Sequence, residues 1–284
     1  MSNSETATRT NSCSPDMFKS WYSDYYLHEN EDSPIQSRKF LGDKIISSVK
    51  HLLNQQRAEE PNCSKEKLPL VTVLSIGAGK QVLEQEIEKS PQWQEISPWV
   101  LLVTLDIATL NQAQLLSSIA SHIVADGSQV PFADDHFDLV YSNMAIDFMP
   151  EDAFSEVVRI LKNDGTFLAN LHHPNLIQIA RSQMYEIKST IHTCNQKLKH
   201  GGNSKVREKY AKRLTEALVE YRSAQFILNY FPQLVFENAK EIEDFVSGKF
   251  TVESLTVEEH QNRPHANGWF YVEVRGMKRK PVIQ

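Results

Sequence analysis

Apolar residues between positions 71 and 171 alternate between two spacings. Mostly apolar or β-branched runs at 71–76, 100–105, 137–142 and 166–171 predict strands buried on both faces, and a shorter strand is predicted at 122–125. Between the runs, apolar positions three or four residues apart predict helices at 81–89, 110–120 and 153–161. This regular alternation predicts an α/β fold with a Rossmann-like, doubly wound sheet.

The flanking segments follow other patterns. Residues 1–16 form a polar leader predicted to be disordered, and 17–66 a helical N-terminal segment. Residues 175–236 predict two long amphipathic helices, which we interpret as a helical insertion on the substrate side after the fifth strand. A helix at 239–246 and strands at 250–257 and 269–274 follow, and the tight Asn267–Gly268 turn makes these strands antiparallel. We therefore predict one domain over 17–284.

Composition narrows the function. The 284 residues carry a formal net charge of −6, which disfavours a broad nucleic-acid-binding surface. The three cysteines have no C-x-x-C spacing, so neither a disulfide framework nor a metal site is indicated. No apolar run is long enough to cross a bilayer, and no signal peptide is recognisable. These features predict a soluble, cytoplasmic protein, and they leave its oligomeric state open.

A glycine turn follows the first strand. Gly77 and Gly79 let the chain reverse sharply into a helix, whose N-terminus then faces the ligand position at the carboxyl end of the sheet. Asp106 lies 27 positions after Gly79, at the end of the second predicted strand. A carboxylate there can accept both hydroxyls of a ribose, or it can cap the helix predicted at 110–120.

Four segments in this order carry a resemblance. LSIGAGK, LLVTLDIA, ADGSQVPFADDHFDLVYSN and LKNDGTFLANLH resemble the successive motifs of the class I, Rossmann-like methyltransferases that use S-adenosylmethionine, in particular the small-molecule, type 11/25-like domains. The resemblance implies a seven-stranded, mostly parallel sheet with an antiparallel last strand. It also implies that S-adenosyl-L-methionine is the cofactor.

The same resemblance implies roles for individual residues. The glycine turn would bring backbone close to the methionine part of the cofactor, and Asp106 would hold the ribose hydroxyls. Ile107 would pack on the adenine, Asp126 would accept the adenine amino group, and Asn143 would lie near the sulfonium. The implied cofactor-binding set is Gly77, Ala78, Gly79, Asp106, Ile107, Asp126, Gly127, Ser128 and Asn143.

Two positions depart from the family pattern. Ser75 stands where an acidic residue usually precedes the first glycine by two positions, so a carboxylate near the methionine end is missing. Gln81 stands where a third glycine often follows, which puts a side chain where helix and strand pack closely. Both departures bear on the affinity for the cofactor.

Candidates for the acceptor side come from histidines and aromatic residues. His172 and His173 follow the fifth strand, where a general base for a hydroxyl acceptor would lie, although each also suits a structural or substrate-contact role. The aromatic residues suit either a substrate pocket or core packing. The predicted substrate-binding set is Trp21, Tyr22, Tyr26, His172, Tyr185 and Tyr221.

The leading hypothesis is methyl transfer from S-adenosylmethionine to a nitrogen or oxygen acceptor on a small-molecule metabolite. One alternative is a nicotinamide-dependent oxidoreductase, but its G-x-G-x-x-G motif would need glycine at Val82. The other is a non-catalytic S-adenosylmethionine-binding protein, which the departures at Ser75 and Gln81 keep open.

Overall fold

A seven-stranded sheet forms the centre of the computed structural model, which describes residues 35–59, 70–109, 115–200, 203–230, 235–260 and 268–279. The strand order is β3-β2-β1-β4-β5-β8-β7, with β1 to β5 parallel and β8 antiparallel to both β5 and β7. The predicted fold class is therefore confirmed. The strands are β1 Val71–Ile76, β2 Val100–Asp106, β3 Ser121–Val124, β4 Phe137–Asn143, β5 Leu161–His172, β7 Ser254–His260 and β8 Trp269–Arg275.

Helices cover both faces of the sheet. The described helices are α1 Ile35–Glu59, α2 Val82–Glu88, α3 Pro91–Ile96, α4 Asp152–Ile160, α5 Asn175–Lys199, α6 Ser204–Tyr230 and α7 Ala239–Lys249. Apolar side chains of α1, α2 and α3 pack with one face of β1, β2 and β4, and those of α4 and α7 pack with the other. Because β1 and β4 are buried on both sides, their sequences are mostly apolar.

The helix predicted at 110–120 is absent from residues 115–120, which are irregular; residues 110–114 lie outside the described part of the chain. The Leu116 N–H donates to the carbonyl of Lys80, and the Glu88 carboxylate accepts hydrogen bonds from Ser117 and Ser118. Tertiary hydrogen bonds to α2 thus hold a segment whose apolar spacing favoured a helix.

Three boundaries also differ from the predictions. The Asn163–Gly165 turn lies inside β5, where the register against β4 is irregular. Gly248 lies inside α7 and does not end it. The strand predicted at 250–257 is two strands, because β6 (Phe250–Thr251) pairs with β9 (Lys278–Arg279) and only β7 joins the main sheet.

The predicted helical pair is a long antiparallel hairpin of α5 and α6, and α5 begins three residues after β5 ends. Small side chains at Ala180 and Ala224 are buried between the two helices. Phe226 lies near the end of α6 and is buried with Phe148 and Val235. The hairpin therefore rests on the carboxyl edge of the sheet, beside the segment that follows β4. None of the helices in the described ranges combines the length and apolar character needed to span a bilayer.

Candidate functional site

The glycine turn closes against the end of β2. Gly77 and Gly79 adopt φ angles of 73° and 51°, a left-handed conformation in which glycine avoids the strain of a side chain. The N–H groups of Gly77 and Ala78 donate to the carbonyl of Leu105 at 2.7 and 3.2 Å, and the Gly79 N–H donates to Asp106 Oδ2 at 2.8 Å. All three amides of the turn are therefore used within the protein.

This use of the amides separates two of the candidate functions. A dinucleotide cofactor needs backbone N–H groups of a glycine turn to receive its pyrophosphate. Here those groups face a carbonyl and a carboxylate, which favours a ligand that is cationic or donates hydrogen bonds at the turn. The geometry disfavours the nicotinamide-dependent alternative.

Asp106 organises the turn as well as ending β2. Its side chain is buried, with the residue 2% exposed, and Oδ1 accepts the N–H of Ala108 at 2.8 Å. Burial raises the pKa of Asp106, while the hydrogen bonds from the Ala108 and Gly79 amides act in the opposite direction. No helix begins in residues 107–109 or 115–120, so the described structure shows no helix that Asp106 caps.

The predicted adenine loop follows β3. Asp126 Oδ1 accepts the Ser128 N–H and the Ser128 hydroxyl, each at 2.8 Å, which closes a tight turn around Gly127. A Cβ added to Gly127 would lie 2.5 Å from the sulfur of Met149, so this position has no room for a side chain unless Met149 moves. The turn therefore packs against the loop that follows β4.

The two residues that depart from the family pattern, Gln81 and Ser75, both make buried contacts in the structure. Gln81 adopts a left-handed backbone with φ 64°, and its buried Nε2 donates to Thr104 Oγ1 at 2.7 Å. Ser75 is buried beside the carboxyl of Glu84, which also accepts the Tyr141 hydroxyl at 2.7 Å. A carboxyl of α2 therefore lies beside the position where the family has an acidic residue at the end of β1.

Two asparagines join the ends of β4 and β5 to the start of α1. Asn143 and Asn170 are register partners on these strands, and Asn170 Nδ2 donates to Asn143 Oδ1 at 3.2 Å and to the Ser37 carbonyl at 2.8 Å. Asn143 therefore lies at the carboxyl edge, where a role near the sulfonium remains a prediction.

A buried aspartate holds His172. Asp147 Oδ2 accepts the His172 backbone N–H at 2.7 Å and lies 3.0 Å from His172 Nδ1. The Asp147 side chain is fully buried, and that of His172 is 14% exposed. The Phe148 ring lies on the imidazole at 4.1 Å between ring centroids. The imidazole is thus fixed by a carboxylate on one side and an aromatic ring on the other.

His173 has a different environment. Its Nδ1 accepts the Asn175 N–H at 3.1 Å at the start of α5, and its Nε2 lies 3.1 Å from Glu259 Oε1. The residue is buried, and its ring packs against Phe270 at 5.0 Å. Through these contacts His173 ties the start of α5 to β7, whereas His172 is paired with a fully buried carboxylate, which favours His172 as the base.

The structure does not bring all predicted substrate residues together. Tyr185 is 81% exposed on the hairpin. Tyr221 is half-buried between α5 and α6, where Gln225 donates to its hydroxyl. Trp21, Tyr22 and Tyr26 lie outside the described residues. Among the predicted set, His172 is the described residue at the carboxyl edge of the sheet.

Sequence reasoning missed three side chains of the site, Glu84, Asp147 and Asn170. A signal for Asp147 was available, because it follows β4 just as His172 ends β5, and these strands are parallel neighbours. Glu84 carried no such signal, since a helical glutamate is usually solvated.

Four buried oxygens indicate how well the residues fit S-adenosylmethionine. Gln81 Oε1, Glu84 Oε2, Asp147 Oδ1 and Asn170 Oδ1 have no hydrogen-bond partner among the described residues. Such acceptors are costly to leave unpaired, so they favour a ligand that brings hydrogen-bond donors. S-adenosylmethionine carries an ammonium group, ribose hydroxyls and a sulfonium charge. An acceptor-rich, acidic site fits it.

Comparison with known proteins gives a methyltransferase-domain match over part of the chain. Residues 88–169 match the family described as "Methyltransferase domain". No curated protein matches the chain at the sequence level. The crystal structure of the DszA carbon methyltransferase is similar at a TM-score of 0.51 and 10% identity over 90% of this chain, which shows the fold alone. This chain covers 58% of the DszA chain.

Two further solved structures are similar at lower scores. The plantazolicin methyltransferase BpumL, in complex with a triazolic desmethylPZN analogue and SAH, gives a TM-score of 0.42 at 12% identity, covering 94% of this chain and 92% of that one. A Thermotoga maritima SAM-dependent methyltransferase, described as a possible histamine N-methyltransferase, gives 0.44 at 14% identity, covering 91% and 96%. The match over residues 88–169, the sheet order and the acceptor-rich glycine turn together support a class I, Rossmann-like methyltransferase fold with S-adenosylmethionine as the indicated cofactor.

Proposed function

We propose that the protein transfers a methyl group from S-adenosylmethionine to an oxygen or nitrogen acceptor on a small molecule, with His172 as the base. The observation that carries this proposal is the hydrogen-bonded pair of His172 and Asp147 at the carboxyl edge of the sheet. The Rossmann-like fold holds its ligands at this edge.

Asp147 prepares His172 for proton transfer. A carboxylate that accepts from Nδ1–H fixes the neutral tautomer whose Nε2 can take a proton. It also stabilises the charged ring that forms when the proton is taken. Because the same carboxylate oxygen accepts the His172 backbone N–H, ring and main chain are held together. Asp147 therefore positions His172, and His172 would contact the acceptor.

The surroundings of the pair suggest the kind of acceptor. Phe148 lies on the imidazole, and Phe226 and Val235 are buried with it, with Leu176 and Ile177 packed against them. An apolar wall beside a base suits a small, largely apolar molecule with one polar reacting group. A hydroxyl needs a base to give up its proton, whereas a neutral amine reacts without one. The pair therefore favours oxygen over nitrogen.

The cofactor supplies an activated methyl group when bound, so the protein needs to align the acceptor, exclude water and remove one proton. His172 and the aromatic wall match these tasks. The paired carboxylate and histidine at the ligand edge favour this proposal over the non-catalytic alternative.

A turnover assay tests the proposal. Purified protein is incubated with S-adenosylmethionine and a panel of small phenols, aliphatic alcohols and amines, and S-adenosylhomocysteine release is measured. With an accepted hydroxyl compound, we expect His172→Ala to lower kcat by roughly 10²- to 10⁴-fold, the range for general-base catalysis. Asp147→Asn should lower kcat by a smaller factor than His172→Ala and should change the dependence of kcat on pH.

His192→Ala is the matched control, because His192 is an exposed histidine on the hairpin whose ring bonds Gln196. It should leave turnover unchanged, and the His172→Ala and His192→Ala variants should bind S-adenosylhomocysteine as the natural chain does. Full turnover by His172→Ala on a hydroxyl acceptor would overturn the role of His172. Turnover restricted to amines would select nitrogen as the acceptor.

A further inference from the structure

Glu84 is a buried acid that the methyl-transfer chemistry does not use. It is the third residue of α2, directly after the glycine turn, and is 1% exposed. Its side chain points to the sheet, where Oε1 accepts the Tyr141 hydroxyl at 2.7 Å. Ser75 hydrogen-bonds the same carboxyl, and Ser75 and Tyr141 are register partners on β1 and β4. The carboxyl therefore lies across two strands, one residue before β1 ends.

The second carboxyl oxygen is unpaired. Glu84 Oε2 is buried and has no hydrogen-bond partner among the described residues. A buried carboxyl in this state is unfavourable in either protonation state, since a lone pair or a proton remains unsatisfied. The Tyr141 and Ser75 hydroxyls satisfy only part of its capacity.

A neighbouring carboxylate makes ionisation of Glu84 harder. Asp106 lies close enough for its negative charge to act on Glu84, and no cationic side chain of the described residues forms an ion pair with Glu84. Burial raises the pKa of Glu84, and hydrogen bonds from Ser75 and Tyr141 counteract only part of this rise. The buried carboxyls of Glu84 and Asp106 thus have no cationic partner among the side chains that the structure describes.

We propose that Glu84 binds the ammonium group of the cofactor's amino-acid part, so that α2 supplies the acidic contact that Ser75 cannot. The ammonium is a cation that S-adenosylmethionine and S-adenosylhomocysteine share, and it would provide both the missing donor and the missing positive charge. The inference deepens the proposed function by naming a specificity residue for its cofactor. It rests on cofactor binding and is independent of the acceptor.

Ligand affinity measured by calorimetry tests this role. The probes are S-adenosylhomocysteine and 5′-methylthioadenosine, which has the nucleoside and thioether but no amino-acid part. We expect Glu84→Gln, which keeps the size and the Tyr141 contact, to weaken S-adenosylhomocysteine binding by roughly tenfold or more, as for a lost bond to a charged group. The affinity for 5′-methylthioadenosine should not change.

Glu95→Gln is the matched control, because it removes one negative charge from α3 at an exposed side chain paired with Lys50. It should leave both affinities unchanged. If Glu84→Gln does not fold, the natural chain can be titrated with S-adenosylhomocysteine whose amino group is replaced by hydrogen, and this compound should bind at least tenfold more weakly.

The outcomes are distinguishable. Equal weakening of both probes by Glu84→Gln would give Glu84 a general structural role and overturn the inference. Unchanged affinity for S-adenosylhomocysteine would overturn it as well. Failure of the natural chain to bind either probe would instead contradict the proposed function.

Discussion

The carboxylate of Asp106 accepts the backbone N–H of Gly79 at 2.8 Å, across 27 residues of sequence. This bond joins the end of β2 to the turn after β1, and these strands are neighbours whose carboxyl ends lie at the edge where a Rossmann-like fold holds its ligands. The residue predicted to hold the ribose therefore also shapes the turn predicted to contact the methionine part of the cofactor.

Replacing Asp106 should consequently affect both affinity and stability. Asp106→Ala leaves the buried amides of Gly79 and Ala108 without acceptors, which should lower the free energy of unfolding by at least about 2 kcal/mol. S-adenosylhomocysteine affinity should fall at least tenfold by calorimetry, since a charged acceptor is lost.

Asp126→Ala is the control. Its carboxylate closes only a local, half-exposed turn, so urea denaturation should show a smaller loss in the free energy of unfolding. If both substitutions lowered the free energy of unfolding equally, the role of Asp106 in shaping the glycine turn would be contradicted.

Gln81 should respond unusually to substitution because of its left-handed backbone. Gln81→Ala keeps the unfavourable φ and loses the hydrogen bond to Thr104, so we expect a loss of about 1 kcal/mol or more. Gln81→Gly loses the same bond but relieves roughly 1 kcal/mol of strain, and it should be close to the natural chain. Urea denaturation of both variants gives the comparison. An alanine variant as stable as the glycine variant would show that the backbone is unstrained.

Glu88 should make the segment at 115–118 sensitive to acid. Partial burial raises the pKa of Glu88, but hydrogen bonds from Ser118 and Ser117 outweigh it, and the net pKa is lowered. A lowered pKa in the folded state gives stability that is present above the unfolded value of 4.5 and is lost as the pH falls through the folded value. The stability difference between the natural chain and Glu88→Gln should therefore be constant near neutral pH and vanish in acid. A difference that persists in acid would exclude this linkage.

The outer part of the hairpin should be dispensable for cofactor binding. Helix α5 is about 37 Å long at 1.5 Å per residue, and its contacts with the segment after β4 lie at its first turns. Replacing residues 188–213 by a short Gly/Ser turn should leave S-adenosylhomocysteine affinity within about twofold, well under 1.4 kcal/mol. Phe226→Ala, at the base, should instead raise the acceptor KM. A large loss of cofactor affinity in the shortened chain would show that the outer hairpin supports the cofactor site.

Short-range patterns determined the elements that form the sheet. The mostly apolar run at 71–76 can be buried on both faces only at the centre of a sheet, and Gly77 and Gly79 permit a turn that other residues resist. The apolar run at 100–105, which is followed by Asp106, likewise predicted β2 and the carboxylate at its end. These features were predictable because each depends on neighbours within a few residues.

Tertiary structure decided which distant side chains meet. Glu84 reaches Ser75 and Tyr141 because α2 packs on β1 and β4, and Asp147 reaches His172 because β4 and β5 are adjacent. The helix predicted at 110–120 is not formed at 115–120, where Glu88 and Lys80 provide better hydrogen-bond partners than a helix would. Periodicity reports only the local preference of the backbone, whereas these contacts depend on the packing of segments far apart in the chain.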